Sequence, residues 1–537
     1  MPDASALVIV GPAVIAAALG LWRIDGPSYW ADEGVSVAIA SRPLADLPTI
    51  LAHMDLAHGL YYVLLHFVST VAGTSEFAMR LPSVLATAAA TAVLAALGRR
   101  LVSPATGLFA GLIYALLPVV SRYAQEARQY ALVTALVIGV TYLLVVTIDA
   151  GRDRRYRWRP WAAYTIMLAV AGWLHLYALF ILPVHAVILL WGKAPAAGWR
   201  HWIVSAGVAG MLVAPLALAA RTQFALVSWI PRPDLGTVRH LGWLVFGGNP
   251  VAIVTVLALA VVGMSWRRHS DGPQARTIRS GMTGPSTAGI VPDSRRSGVA
   301  TLDVAAPDVA VTPRAPARLT VRTVALPWLL VPGGLMVVIS LIGPPIFYPR
   351  YVLHSVAALA LAAGAGIAYA VSWAAPRLPA ARLVIPAAAL AVLAAFTGPA
   401  QVAIRQPLSR PDNLRALAHT LRDNARPDDA VLYVPAGNWM STLSYPDSVA
   451  RLDTRSLNAD GFFGELLPEQ LHRAAGRLAR IWVVEGETSY GNGVRMRDDP
   501  RFRRSAHWSF GTRQLSLYER VPLNGNGRSM TSNGIRR

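Results

Sequence analysis

The sequence predicts a polytopic α-helical membrane protein with a small α/β domain at its C-terminal end. Of its 537 residues, 54% are hydrophobic and only 15% are charged, whereas soluble domains contain about 25% charged residues. Apolar segments long enough to cross a bilayer as helices, roughly 20 residues each, recur between residues 1 and 400. Beyond residue 400 the pattern changes to alternating helix-like and strand-like segments, which indicates a separate folded unit.

The net charge of +20 does not indicate a nucleic-acid-binding protein, because the arginines flank apolar segments instead of forming one basic face. The chain contains no cysteine, which excludes disulfides and thiolate metal sites. Composition therefore points to the lipid bilayer as a partner and gives no indication of nucleic acid.

The apolar segments predict about eleven transmembrane helices. The predicted spans are residues 5–22, 80–98, 104–121, 130–148, 161–179, 180–192, 202–220, 248–265, 325–342, 351–373 and 382–400. The segment His58–Ala72 is also apolar, but it is too short to cross comfortably and is expected to lie as an interfacial helix.

Basic residues in the short loops predict the orientation of these spans. Loops at residues 99–100, 152–159 and 266–268 carry arginines and fall on one side if the spans alternate. Such loops mark the cytoplasmic side of a membrane protein. Asp32 and the loop Arg122–Tyr130 then lie on the opposite, outer face.

Two regions lie outside the predicted spans. Residues 267–322 are rich in Arg, Pro, Ser, Thr and Gly, so we expect a disordered cytoplasmic insertion within a membrane domain of residues 1–400. Residues 401–522 are expected to form an extracytoplasmic α/β domain, and residues 523–537 a disordered tail. Within that domain the patterns predict helices at 413–424 and 468–478 and strands at 430–434, 481–484 and 514–518.

The tetrapeptide Trp30-Ala31-Asp32-Glu33 lies just beyond the first predicted span. Ionisable groups at the edge of a membrane are costly, and they are functional candidates for that reason. A pair of carboxylates can also serve only to stabilise the first turn of a helix through the helix dipole. The tetrapeptide alone leaves both interpretations open.

Cations and aromatic rings lie close to the same predicted membrane boundary. The cationic side chains are those of His58, Arg80, Arg122, Arg128 and Arg350. Guanidinium groups bind phosphate oxygens in bidentate geometry, and a carboxylate can deprotonate a hydroxyl group. Together these groups suit transfer of a sugar from a lipid-linked phosphate, although Arg80 and Arg122 are expected to anchor helix ends at the interface. The nearby tyrosines are expected to form an interfacial aromatic belt.

Six short motifs follow one another along residues 1–375. They are Trp30-Ala-Asp-Glu33, His58-Gly-Leu-Tyr-Tyr62, Phe77-Ala-Met-Arg-Leu-Pro-Ser83, Arg122-Tyr-Ala-Gln-Glu-Ala-Arg-Gln-Tyr130, His175-Leu-Tyr177 and Tyr348-Pro-Arg-Tyr351. This order resembles the GT-C superfamily of polyprenyl-phosphate-sugar-dependent glycosyltransferases. The resemblance is strongest to family 39, the protein O-mannosyltransferases and lipid A aminoarabinose transferases. Each motif is weak alone, whereas their order and spacing make the resemblance specific.

The resemblance implies a GT-C fold and transfer of a sugar, either mannose or another hexose or pentose, from a polyprenyl phosphate at the outer leaflet. It implies that Asp32 is the catalytic base that activates the acceptor hydroxyl. Glu33 would orient the acceptor or the donor, or assist as a second catalytic carboxylate. By the same resemblance, His58, Arg128 and Arg350 would bind the donor phosphate.

Two further residues are assigned to the substrate site. The resemblance implies that Glu126 holds Arg128 or a sugar hydroxyl. His175 is a substrate-binding candidate, and a buried, hydrogen-bonded histidine is its alternative. No metal ligands are assigned and no cofactor is expected to be required, but a divalent cation at Asp32 and Glu33 stays an alternative.

The acceptor stays open among a protein, a glycolipid and a cell-wall glycan. The competing hypothesis is a non-enzymatic transporter or flippase of lipid-linked sugars. A transporter would be expected to have repeated halves and ionisable groups near the middle of the bilayer. The polar residues of this sequence instead cluster at one predicted membrane face.

Overall fold

The structure is a computed structural model that describes residues 4–152, 158–227, 229–265, 319–434, 438, 442, 444–446, 468–486 and 492–522. The predicted insertion of residues 267–322, except for its last four residues, lies outside the described residues, as does the predicted tail of residues 523–537.

Helices make up most of the described chain. Up to the insertion they are α1 (Ala4–Leu21), α2 (Ala31–Ala40), α3 (Leu47–His53), α4 (Gly59–Ala72), α5 (Glu76–Leu101), α6 (Pro104–Leu116), α7 (Pro118–Ala124), α8 (Tyr130–Arg152), α9 (Trp158–Leu174), α10 (Ile181–Trp191), α11 (Ala196–Ala220), α12 (Leu235–Phe246) and α13 (Pro250–Ser265). After it come α14 (Val321–Ile342), α15 (Ser355–Ala374), α16 (Ala381–Ala403), α17 (Leu414–Asn424), α18 (Pro468–Ala475) and α19 (Asn492–Asp498). Short 3₁₀ helices cover Leu44–Asp46, Leu56–His58, Leu176–Phe180, Arg221–Val227 and Pro349–Val352.

Six helices of the described chain are long and apolar enough to cross a membrane. They are Glu76–Leu101, Tyr130–Ala150, Ala196–Phe224, Val321–Ile342, Ser355–Ala374 and Ala381–Ala403. Three sharply bent helix pairs raise this number to nine if each pair forms one span. The polytopic helical architecture is confirmed, whereas the predicted count of about eleven is not established by these helices.

Two predicted spans differ from the observed helices in an informative way. The span predicted at 104–121 is bent by 68° between α6 and α7. Pro118 lies at the first position of α7, where a proline ends the preceding helix and starts the next one. The span predicted at 161–179 ends at Leu174, so that His175 lies between α9 and a 3₁₀ helix. Both breaks bring loop residues to the end of the bundle that carries Asp32.

Small residues allow the central helices to approach closely. A Cβ atom on Gly263 of α13 would lie 2.0 Å from the carbonyl oxygen of Ala362 in α15, and one on Gly366 would lie 2.0 Å from that of Leu259. Glycine is therefore required at both positions. Such contacts are typical of helix packing in membranes, where close backbone approach replaces the hydrophobic driving force.

The C-terminal part forms a four-stranded sheet with the order β1-β2-β4-β3. Its strands are β1 (Ala430–Val434), β2 (Arg480–Gly486), β3 (Phe502–Phe510) and β4 (Arg513–Arg520). Strands β1 and β2 are parallel, and the other neighbouring pairs are antiparallel. The three predicted strands and both predicted helices are confirmed, but β3 was not predicted.

Candidate active site

Asp32 occupies the first turn of α2, and its carboxylate forms an ion pair with Arg350. Arg350 Nη1 lies 3.0 Å from Asp32 Oδ2, and the side chains are 10% and 30% exposed, respectively. Arg350 comes from the 3₁₀ helix Pro349–Val352, far away in sequence. The fold thus brings the predicted base and a predicted phosphate ligand into direct contact, and the Asp32 carboxylate stays partly accessible.

Glu33 is oriented into the protein and is fully buried. Arg80 Nε and Nη2 donate to its two carboxylate oxygens at 2.7 Å each, and the Ala127 backbone N–H donates at 2.8 Å. Arg80 also donates to the carbonyl oxygens of Ile24, Pro27 and Ser28. The expectation that Arg80 anchors a helix end at the interface is wrong, because its side chain is completely buried.

This ion pair separates the two adjacent carboxylates by role. Asp32 and Glu33 follow each other on a helix, where successive side chains point about 100° apart. A divalent cation shared by both carboxylates does not fit this geometry, because Glu33 would have to give up Arg80. Within the described residues, no group of three or more His, Asp or Glu side chains could hold a metal ion.

Arg128 lies beside Asp32 without a carboxylate partner among the described residues. Its Nη1 donates to Ser36 Oγ at 3.1 Å, to Tyr62 Oη at 3.3 Å and to the Asp32 carbonyl oxygen at 3.3 Å. Its buried Nε has no hydrogen-bond partner there. The predicted contact from Glu126 to Arg128 is not formed, because Glu126 accepts from Arg122 at 2.7 Å instead. A guanidinium held only by neutral groups keeps its charge available for an anion.

His58 lies in the same cluster and faces a carboxylate that the sequence did not single out. His58 Nδ1 is 3.5 Å from Asp55 Oδ1, and Tyr62 donates to Asp55 Oδ2 at 2.8 Å. Burial raises the pKa of Asp55, but the hydrogen bond and positive charge of His58 outweigh it, so the pKa lies below its usual range. Asp55 precedes His58 by three residues, and this spacing was the available signal.

His175 packs against the aromatic rings of the same cluster. Its ring centroid lies 4.9 Å from that of Tyr351, 5.9 Å from that of His58 and 5.9 Å from that of Tyr130. Burial lowers the pKa of His175 well below its usual value, and repulsion by His58, Arg128 and Arg350 lowers it further. The imidazole is therefore neutral at pH 7 and can offer one donor and one acceptor.

Aromatic rings surround the Arg350 guanidinium. Its central carbon lies 4.8–5.9 Å from the ring centroids of Tyr348, Tyr130, Trp229, Trp30 and Tyr351. Cation–π contacts of this kind stabilise a desolvated cation. The tyrosines at these positions, which were predicted to form an interfacial belt, instead form part of an aromatic cage around Arg350.

A small recess with room for about one water molecule lies next to this cage. His354 lines it, and His354 Nδ1 accepts a hydrogen bond from Trp328 Nε1 at 3.1 Å. Because a tryptophan N–H only donates, the proton of a neutral His354 is on Nε2, which has no partner among the described residues. The other lining residues are Tyr130, Val133, Thr134, His175, Arg350, Tyr351 and Leu353.

Comparisons with known proteins identify the architecture. The sequence model of the dolichyl-phosphate-mannose-protein mannosyltransferase family matches residues 60–220. The crystal structure of ArnT from Cupriavidus metallidurans in the apo state aligns with a TM-score of 0.57 and 14% identity, over 96% of this chain and 98% of that chain. The protein has the GT-C fold. The predicted resemblance to the GT-C superfamily is thereby confirmed, and at this identity the structural likeness establishes the fold alone.

Two further structures align with this chain. ArnT from Cupriavidus metallidurans bound to undecaprenyl phosphate gives a TM-score of 0.52 and 14% identity, over 96% of this chain and 98% of that chain. The Archaeoglobus fulgidus oligosaccharyltransferase in its apo form gives a TM-score of 0.46 and 12% identity, over 90% of this chain and 69% of that chain. No curated protein sequence matches the chain.

Proposed function

We propose that this protein is an integral membrane glycosyltransferase that moves a sugar from a polyprenyl phosphate to an acceptor hydroxyl, with Asp32 as the general base. The observation that carries the proposal is the partly exposed Asp32 carboxylate beside Arg350 and Arg128. A base and two anion-binding cations meet at one point of a GT-C fold. The bound undecaprenyl phosphate in the ArnT structure supports a polyprenyl phosphate as the donor lipid.

The reaction follows from the chemistry of these groups. Asp32 accepts the proton of the acceptor hydroxyl as its oxygen attacks the anomeric carbon of the donor sugar. The bond between the anomeric carbon and the phosphate oxygen breaks, and both bonding electrons leave with the lipid phosphate. Arg128, Arg350 and His58 stabilise the negative charge that develops on the phosphate. The attack and departure occur in line, so the anomeric centre is inverted.

Arg350 has two partners available in this scheme. It orients the Asp32 carboxylate through the ion pair at 3.0 Å, and it presents further N–H groups to a phosphate. Arg128 needs no exchange of partners, because only neutral groups contact it among the described residues. Arg128 is therefore the main phosphate ligand in this proposal. Arg350 contacts both the donor phosphate and the carboxylate of Asp32.

Glu33 acts as a positioning residue in this proposal rather than as a second catalytic group. Its carboxylate joins α2 to Arg80 of α5 and to the Ala127 backbone N–H. These contacts place α2 against the loop that carries Arg128. His175 and Glu126 line the surroundings of the substrate, and Glu126 Oε1 still has an unfilled acceptor position among the described residues.

The location and the substrates complete the proposal. The basic loops at residues 99–100 and 152–159 support a location outside the cytoplasm for the opposite end of the bundle, with Asp32 and the C-terminal domain. The sugar is mannose or another hexose or pentose. The acceptor is a hydroxyl of a protein, a glycolipid or a cell-wall glycan.

The test uses the full-length protein in proteoliposomes with a panel of polyprenyl-phosphate sugars and total envelope fractions as acceptors. Release of polyprenyl phosphate and label in the acceptor fraction are both measured. We expect one donor class to react with the wild type and with Asp149→Asn, a control at the far end of α8, but not with Asp32→Asn. Lack of transfer from every donor, or equal transfer by Asp32→Asn, would contradict the proposal.

A further inference from the structure

The loop that leads into Asp32 is held by residues from the other end of the chain. Residues 22–30 join α1 to α2, and four residues between 412 and 445 contact this loop or Ala31, the first residue of α2. The contacts come from Asp412, Arg415, Leu414 and Tyr445. Asp32 is the second residue after this loop, so its position depends on how the loop is held.

One of these contacts caps the helix that carries Asp32. Asp412 Oδ2 accepts from the backbone N–H of Ala31 at 2.9 Å. Ala31 is the first residue of α2, and Trp30, at the N-cap position, has no side-chain hydrogen bond that would cap the helix. Helices need an acceptor for their first N–H groups, and carboxylates are among the best. Asp412 supplies from a distance the cap that the local sequence lacks.

The C-terminal sheet holds Asp412 in place. Its Oδ1 accepts from Thr512 Oγ1, and Arg513 Nε lies 3.8 Å from the same oxygen. The Thr512 backbone N–H donates to the Pro411 carbonyl oxygen at 3.1 Å. Gly511 is left-handed, with φ of 73°, and a Cβ there would lie 1.9 Å from the Pro411 oxygen. The turn between β3 and β4 therefore packs directly against the backbone of Pro411 and Asp412.

Tyr445 and Arg415 make further contacts with the same loop. Tyr445 Oη accepts from the Tyr29 backbone N–H at 3.1 Å and donates to Glu76 Oε1 at 2.6 Å. Arg415 binds the same Glu76 oxygen at 2.6 Å and donates to the Asp25 carbonyl oxygen at 2.7 Å. Glu76 begins α5, so the loop lies between α5 and the C-terminal domain.

We propose that Asp412 is a positioning residue for Asp32, and that the turn between β3 and β4 is thereby a part of the active site. This inference rests on the proposed role of Asp32 as the base. Arg350 comes from a separate 3₁₀ helix, so the distance between Asp32 and Arg350 depends on where α2 begins. A displacement of about 1 Å can lower a rate roughly 100-fold. Asp412 opposes such a displacement at the first residue of α2, in addition to the contacts of Glu33.

The test compares Asp412→Ala, Asp412→Asn and Thr512→Val with Asp499→Asn. Asp499 is the matched control, because it pairs with Arg501 in the same domain and does not contact the loop. We expect Asp412→Ala to lower kcat about 10- to 100-fold with the donor KM within about twofold of wild type. Asparagine caps helices nearly as well as aspartate, so Asp412→Asn should recover most of kcat, and Thr512→Val should fall between them.

Hydrogen exchange of the peptide that contains residues 24–36 gives a readout that does not depend on activity. Asp412→Ala should speed exchange of this peptide, and Asp499→Asn should leave it at the wild-type rate. If no donor supports transfer by the wild type, the proposed function fails, and the exchange result still decides whether Asp412 holds the loop. Wild-type kcat and wild-type exchange in a folded Asp412→Ala would overturn the inference. Equal loss of kcat and of melting temperature in Asp412→Ala and Asp499→Asn would also overturn it.

Discussion

Arg80 binds both carboxylate oxygens of Glu33 at 2.7 Å, and neither side chain is exposed to solvent. Removal of one partner from a buried ion pair leaves an uncompensated charge, which costs about 3–5 kcal/mol. We therefore expect Glu33→Gln and Arg80→Met each to lower the free energy of unfolding by about this amount. The double variant should lose less than the sum, because the two residues contact each other. Thermal unfolding in detergent measures all three variants, and additive losses would contradict the pairing.

Replacement of Arg350 by lysine should lower activity, whereas the same replacement of an arginine outside the site should not. Arg350→Lys keeps the charge but loses the planar fork that binds Asp32 and a phosphate together. A hydrogen bond to a charged group contributes about 1.5–3 kcal/mol, so kcat/KM should fall roughly 10- to 150-fold. Arg377→Lys is the control, because Arg377 also lies over an aromatic ring, at 5.2 Å from that of Trp373, but outside the site. Equal kinetics for Arg350→Lys and Arg377→Lys would remove Arg350 from the site.

Arg128→Lys should act mainly on binding of the donor. Arg128 makes three contacts through one nitrogen, to Ser36, Tyr62 and the Asp32 carbonyl oxygen, and a lysine ammonium cannot span them and a phosphate together. We expect a higher KM for the donor with a smaller change in kcat. An unchanged donor KM in a folded variant would argue against Arg128 as a phosphate ligand.

His175 predicts how stability depends on pH. Burial and neighbouring cations lower the pKa of His175 in the folded state. Below about pH 6.5, the usual pKa of histidine, the unfolded chain therefore binds a proton at this residue and the folded protein does not. This contribution is absent at pH 7 and above, and it lowers stability as the pH falls towards the folded pKa, by up to about 1.4 kcal/mol per pH unit. His175→Gln should flatten the fall in melting temperature between about pH 7 and about pH 5. The exposed His53 provides the control His53→Gln, and identical slopes for both variants would contradict the assignment.

Removal of the predicted insertion should leave activity largely intact. Helices α13 and α14, which flank it, pack against each other in the described structure. A deletion must retain Leu319, which is buried, and Thr320, whose side chain caps α14. We expect a chain in which a flexible linker replaces residues 270–315 to transfer sugar at the wild-type rate. Loss of transfer with an unchanged melting temperature would give the insertion a role in the reaction.

The fold was predictable where apolar periodicity determines structure. The long helices and strands β1 and β2 carry continuous apolar runs, and β4, with the sequence RQLSLYER, carries a short apolar and polar alternation. These elements were predicted. Strand β3, with the sequence FRRSAHWSF, lies at the edge of the sheet and exposes much of its length. Its charged residues hide the alternation on which strand prediction depends. The bend at Pro118 follows from the proline itself, and a hydropathy window detects neither this bend nor the break at His175.

The site was predictable as a set of residues but not as a set of contacts. Asp32, His58, Arg128, Arg350 and His175 lie together, as their motifs suggested. The resemblance assigned the base to Asp32 and a supporting role to Glu33. The sequence could not show which carboxylate is buried, because that depends on the direction of each side chain in the fold. The helix cap at Ala31 comes from Asp412, 381 residues away, and no local pattern reports such a partner.

The central claim is that Asp32 takes the proton of the acceptor hydroxyl, and the turnover of Asp32→Asn at saturating donor tests it most directly. Donor binding is measured in parallel, because loss of Asp32 frees Arg350 from its 3.0 Å ion pair and should leave donor affinity equal or higher. We predict that kcat falls by about 100-fold or more while the donor still binds. Turnover within about twofold of wild type would contradict the account, since a general base contributes at least about 100-fold.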